Sequence, residues 1–114
     1  MSDCIFCKIV NGEIPSPRLY ENEYAIAIDD VNPVAKVHAL IVTKAHIPDI
    51  LSLDMGDAGL LRGIQEAVCE TAKTKRISES GFRLISNCRE DGCQTIPHLH
   101  YHIVGGQKLK PKIV

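Results

Sequence analysis

Near the end of the chain, His98-Leu99-His100-Tyr101-His102-Ile103-Val104-Gly105-Gly106 constrains the fold more than any other stretch. Its three imidazoles alternate with apolar side chains, and the run stops at two glycines. Successive side chains of a strand project to opposite faces, so His98, His100 and His102 form a row on one side while Leu99, Tyr101 and Ile103 cover the other. A solvated histidine tract has no need of an apolar residue at every second position, whereas a half-buried strand does. Same-face residues lie roughly 7 Å apart. The middle imidazole, His100, therefore stands between two groups able to donate, accept or ligate a metal. Metal binding by the whole row is a rival reading.

The rest of the chain supplies partners for that strand. Leu19-Tyr20-Glu21 and Tyr24 to Asp30 read as a hairpin turning at Glu21-Asn22-Glu23, and Val37 to Thr43 reads as a buried central strand. Between Asp54 and about Arg76, Leu60, Ile64, Val68 and Ala72 recur every four residues with Leu61 beside them, which marks one face of a helix. Asp54 is its expected N-cap, Gly81 its far limit, and Cys69 a core residue. Gly56, Gly59 and Gly63 lower intrinsic helicity by about 1 kcal/mol each if interior, so this helix must depend on packing. Phe82 to Asn87 reads as a strand and Arg89-Glu90-Asp91-Gly92 as a turn or loop. At the other end, Cys4 to Ile9 is a helical turn closed by Asn11-Gly12 and followed by prolines at 15 and 17.

These elements fit one α+β domain, 1-114: a five-stranded, largely antiparallel sheet with one main helix and a short N-terminal helical turn. A length of 114 residues allows one core and hence one site to look for. A net charge of -1 provides no field for a polyanion, so no nucleic-acid partner is expected, although a small anionic ligand remains compatible. No apolar stretch approaches the roughly 20 residues that span a bilayer. Met1-Ser2-Asp3-Cys4 has no basic segment leading into an apolar one, and the five cysteines are an odd number. Reduced thiols, a cytoplasmic location and no membrane partner are the expectation.

The run His98-Leu99-His100-Tyr101-His102-Ile103-Val104 closely resembles the signature of the histidine triad (HIT) family, His-apolar-His-apolar-His followed by two apolar residues. Ile5-Phe6-Cys7-Lys8-Ile9, Gly12-Glu13-Ile14-Pro15, Val37-His38-Ala39-Leu40-Ile41-Val42, Lys44-Ala45-His46-Ile47 and Asp91-Gly92-Cys93-Gln94 resemble its Hint branch. Gly105-Gly106 favours that branch over the dinucleoside polyphosphate hydrolases, where a proline-arginine pair is usual. The resemblance implies a HIT-like homodimer that hydrolyses the P-N bond of purine nucleoside 5'-phosphoramidates. It makes His100 the nucleophile, forming a nucleotidyl-histidine, with a backbone carbonyl fixing the ring tautomer. Neutral imidazole is a competent nucleophile near neutral pH when its second nitrogen is so held. His102 and His38 would stabilise charge on the phosphate.

By the same resemblance Asn87, Cys93, Gln94 and Thr95 contact the phosphate and leaving group, with Thr95 in place of a serine and Cys93 in place of a glycine. Cys93 is expected to narrow the site and to lose a backbone conformation that glycine permits. Asp30 would accept the ribose hydroxyls, and Ile5, Phe6, Ile9, Ile28 and Val31 would line the base pocket, although such residues serve equally well as core. Strand alternation separates Asp30 from the adjacent Asp29, so only one of them can point into the pocket.

Cys4-x-x-Cys7 alone has metal, redox and structural readings. Some bacterial members of the family join such cysteines to two histidines, which here gives Cys4, Cys7, His46 and His98. Two thiolates and two imidazoles complete a tetrahedral Zn2+ site, structural because no position is left for water. The two rival functions are a nucleotide-binding regulatory module without turnover and a metal-buffering protein. The C-terminal Lys108 to Val114 lacks the Trp-Pro-Pro-Gly-like tail common in Hint proteins, which points to a different leaving-group selectivity.

Overall fold

Alternation along three runs builds the centre of a five-stranded sheet in the computed structural model, which describes residues 3–112. Helix α1 (Ile5–Val10) precedes strands β1 (Tyr20–Glu21), β2 (Ala25–Asp29) and β3 (Val37–Thr43). A short 3-10 turn at Ile50–Ser52 leads to helix α2 (Ala58–Thr74), then β4 (Phe82–Ile85) and β5 (His100–Gly105). The strand order is β1-β2-β3-β5-β4, and every pairing is antiparallel. Among the described residues no helix is long and apolar enough to cross a membrane.

The two faces of the sheet are covered differently. On one face, Ala25, Ala27, Ala39, Ile41, Leu99, Tyr101 and Ile103 pack beneath Leu60, Ile64, Ala67, Val68 and Ala72 of α2. The alternate residues Ile26, Ile28, Leu40 and Val42 pack with Phe6 and Ile9 of α1. Register follows from this division, because a slip of one residue would exchange the faces. Pairing Val42 with His100 and Leu40 with His102 leaves His38 opposite Val104, so His38 and His102 are diagonal neighbours on the α1 face.

Several boundaries differ from the sequence expectation. The N-cap of α2 is Asp57, whose carboxylate accepts from the Leu60 N-H, while Asp54 accepts from Gly56 in the preceding turn. The helix ends at Thr74, well short of Gly81, because Arg76 takes a left-handed φ of 60°. Leu60, Ile64, Val68 and Ala72 are buried as the periodicity requires, but Cys69 lies on the exposed face. Gly56 precedes the helix; Gly59 and Gly63 are inside it, beneath the Tyr24 ring. A Cβ on Gly63 would come within 2.6 Å of that ring, so close packing explains the helix-weakening residue. Asn22 reinforces the contact: its side chain accepts from the Tyr24 and Ala25 N-H groups and donates to the Gly63 carbonyl.

β2 and β4 are shorter than expected, and His98 precedes the paired part of β5. The chain is nevertheless held there, since the Leu99 N-H donates to the Ile47 carbonyl and the Thr43 N-H to that of Leu99. Of the N- and C-terminal stretches read in the sequence, Met1, Ser2, Ile113 and Val114 lie outside the described residues.

Candidate active site and metal centre

His100 is buried, with its Nδ1 2.7 Å from the His98 carbonyl oxygen. A carbonyl can only accept, so Nδ1 carries a proton, and in the neutral ring Nε2 is the nitrogen with the lone pair. The Ser86 hydroxyl, unforeseen in the sequence, donates to the carbonyl of His100 from the end of β4. Phe6 packs edge-on against both His100 and His98, with ring centres 4.8 and 5.8 Å away.

A second chain of contacts fixes His102. The Val34 N-H donates to His38 Nδ1, so in the neutral ring the His38 proton is on Nε2. That nitrogen lies 2.9 Å from His102 Nδ1, which therefore accepts, leaving His102 an Nε2-H. Burial pushes the His102 pKa down, helped by His100 and His38 and opposed by the Asp30 carboxylate. The neutral donor form is favoured. Both ring nitrogens of His38 are engaged within the protein, and the residue stands behind His102 rather than in the lining of the cavity. It orients His102.

His100 and His102 open onto a cavity of about 530 Å³. Ile5, Phe6, Ile9 and Ile28 provide apolar wall, while Val31, 90% exposed, stands at the rim. Asp30 lines the same cavity; its carboxylate accepts from the Asn32 N-H and lies 3.3 Å from His38 Nε2. Asp29 also borders it, but its carboxylate is paired with Lys75 at 2.9 Å beyond the end of α2. A larger cleft of about 780 Å³ between β4 and the C-terminal segment contains none of the histidines.

Asn87, Cys93, Gln94 and Thr95 reach the cavity from the segment between β4 and β5. The Gln94 amide is already engaged: it donates to the Pro48 and Ile96 carbonyls and accepts from the Arg89 N-H. Its visible work is to hold the loop. Arg89 adds a 2.8 Å pair with the buried Asp49, whose carboxyl that guanidinium holds below the usual carboxylate range. Neither residue was foreseen, since an aspartate and an arginine 40 positions apart carry no local signal. Cys93 adopts a φ of 59°, so the left-handed conformation expected to be lost is retained despite its Cβ.

On the other side of Phe6, four ligand atoms from Cys4, Cys7, His46 and His98 lie within 4.8 Å of one another. Cys4 Sγ to His98 Nδ1 is 3.3 Å, Cys7 Sγ to His46 Nδ1 is 3.2 Å, and the two Nδ1 atoms are 3.2 Å apart. Edges of about 3.3 to 3.8 Å are expected of a tetrahedron with the bond lengths of zinc to nitrogen and sulfur, so the set fits an ion with little rearrangement. His98 Nε2 donates to the Thr43 carbonyl at 2.7 Å, which leaves Nδ1 as the ligating nitrogen. Burial also lowers the His98 pKa and favours the neutral form a metal needs.

An antiparallel sheet carrying an oriented imidazole row beside a two-sided cavity defines a histidine-triad type of protein. Residues 11–109 match the HIT domain model, and the chain belongs to the HIT family. A solved HIT family hydrolase from Clostridium thermocellum superposes with a TM-score of 0.93 at 44% identity, covering 100% of this chain and 99% of its own. A 13.2 kDa HIT-like protein of Azospirillum brasilense is 37% identical over 110 residues, 96% of this chain and 90% of the relative. The purine nucleoside phosphoramidase of Escherichia coli strain K12 is 32% identical over 111 residues, 97% and 93% of the respective chains.

Proposed function

We propose that this chain is a nucleotide hydrolase that cleaves the P-N bond of purine nucleoside 5'-phosphoramidates. The observation that carries the reading is His100, with Nδ1 tied to a backbone carbonyl and the ring bordering a cavity that also holds Asp30. The Nε2 lone pair attacks the α-phosphorus and a P-Nε2 bond forms as the P-N bond to the amine breaks. The amine leaves as RNH2, taking its proton from solvent water, while His100 keeps its Nδ1-H. A second water then adds its oxygen to phosphorus as the P-Nε2 bond breaks, releasing the nucleoside monophosphate and a proton and restoring the neutral ring. The Nε2-H of His102 donates to a phosphate oxygen, where charge builds in the transition state.

Asp30 accepts the ribose hydroxyls, the apolar wall takes the purine, and Asn87 and Thr95 contact the phosphoramide. The resemblance to a purine nucleoside phosphoramidase supports the substrate class. Cys4, Cys7, His46 and His98 would hold a structural Zn2+, which when bound ties α1 to the start of β5. A cytoplasmic homodimer completes the reading: β4 is an open sheet edge exposing Phe82 and Leu84, a surface suited to a second copy.

The test is steady-state release of amine from a purine nucleoside phosphoramidate, followed by quenching at a pH that preserves phosphohistidine and mass spectrometry of the peptides. The nucleotide should be found on His100. A competent intermediate on another residue, or no turnover of any such substrate by folded protein that still binds nucleotide, overturns the assignment and favours the regulatory module.

A further inference from the structure

The single N-H of His38 has two acceptors near it. His102 Nδ1 is 2.9 Å from His38 Nε2, and the Asp30 carboxylate oxygen Oδ2 is 3.3 Å from the same nitrogen. The ring cannot satisfy both by presenting a second proton, because its Nδ1 is occupied as an acceptor for Val34 N-H. His38 is buried and its ring is held from both ends, so it has little freedom to choose by rotating. Asp30 is the variable partner: it is half-buried, borders the cavity, and is held on its other oxygen by the Asn32 N-H.

We propose that Asp30, His38 and His102 form a relay through which occupation of the ribose site sharpens the proton donor at the phosphate. This rests on the nucleotide reading above and goes beyond it, since there Asp30 serves affinity alone. Without ligand the carboxylate draws on the His38 N-H and weakens its bond to His102. When ribose hydroxyls donate to the carboxylate, its attraction for that proton falls and the N-H is left to His102 Nδ1. The proton of His102 is then fixed more firmly on Nε2, the nitrogen left for the phosphate. No proton changes owner; the relay alters how one hydrogen bond is shared. His38 is accordingly a positioning residue, and a substrate without ribose hydroxyls should lose rate as well as affinity.

Two measurements on the full-length, metal-loaded protein test this. With 15N-labelled histidine, binding of AMP should move the His38 Hε2 proton downfield and strengthen the nitrogen-nitrogen coupling across the His38-His102 bond, whereas 2',3'-dideoxy-AMP at saturation should not. In single-turnover kinetics at saturating substrate, a 2',3'-dideoxy phosphoramidate should react about five- to tenfold more slowly than its ribose counterpart, the effect of roughly one weakened hydrogen bond. In His38→Gln, whose amide can accept from Val34 and donate to His102 but cannot be shared in the same geometry, that rate ratio should shrink toward one. Equal spectral responses to the two nucleotides, or a dideoxy defect confined to KM, would overturn the relay while leaving the nucleotide reading intact. Failure of AMP to bind at all would overturn both.

Discussion

Ile103 and His102 are neighbours in β5, yet one is fully buried beneath α2 and the other borders the cavity on the α1 face. The α2 face is closed by small and branched apolar side chains whose detailed identity matters mainly through volume. On the α1 face the same strands present His38, His100 and His102; both His38 nitrogens and the Nδ1 atoms of His100 and His102 are held by backbone or side-chain partners, which leaves Nε2 of His100 and of His102 to the cavity. A long amphipathic helix can cover a face completely. The six-residue α1 cannot, and the part of the sheet it leaves open is where the cavity bordered by His100 and His102 lies. One face thus supplies stability to the strands, and the other uses their rigidity to hold imidazoles in fixed tautomers.

The contrast is broken most sharply by paired substitutions on β5. His100→Ala should lower turnover about 10⁴-fold or more, as loss of a nucleophile does, with nucleotide affinity largely retained. Ile103→Ala should do the reverse: about 2 to 5 kcal/mol less stability from the lost burial and the cavity left behind, with activity per folded molecule nearly unchanged. Denaturant unfolding and active-site titration separate the two. Equal damage to stability and turnover in both variants would show that the faces are not functionally distinct.

The next largest effect concerns the metal centre. Purified protein should carry about one zinc per chain, and the double substitution Cys4→Ser, Cys7→Ser should remove it and lower Tm by roughly 5 °C or more. Because Cys4 caps α1 and the His98 carbonyl holds His100, nucleotide affinity and turnover should also fall. Elemental analysis with thermal melting provides the check; full zinc and an unchanged Tm would exclude the site.

A smaller effect follows from protonation. His102 titrates below its unfolded value of about 6.5, so between those two values the unfolded chain binds more protons and stability falls as pH falls. His102→Gln removes this contribution. Urea unfolding between pH 7.5 and 5 should therefore show a shallower decline for the variant than for the parent, with the curves running parallel above about pH 7.5, where the imidazole is neutral in both states.

The smallest effect is expected at Cys93, whose left-handed backbone burdens a residue with a Cβ. Cys93→Gly should raise stability by about 0.5 to 1 kcal/mol, the relief of that conformation less the greater chain entropy of glycine when unfolded. A loss of stability instead would mean that the thiol's contacts outweigh the strain.

Much of the scaffold could be read locally because its signals are periodic. Val37–Thr43 coincides with its expected strand, and the four-residue recurrence correctly marks the buried stripe of α2. Boundaries were less legible: Asp54 and Asp57 are both credible caps, and in the fold Asp54 closes the preceding turn onto Gly56 while Asp57 caps the helix. Cys69 could not be sorted by helical pattern alone, since a small sulfur side chain is acceptable on either side of the stripe.

Sequence alone determined which side chains share a face, because strand and helix periods are set by local backbone geometry. It thereby placed His100 and His102 together and Asp30 apart from Asp29. Tertiary structure decided what those groups could do. The protons of His38 and His102 are positioned by Val34 and by each other, and the Gln94 loop is held by Pro48 and by the Asp49-Arg89 pair. The four metal-binding candidates meet only when α1, the segment after β3 and the start of β5 come together. Tautomers and ligand sets depend on short contacts between groups far apart along the chain, and no local period encodes such contacts.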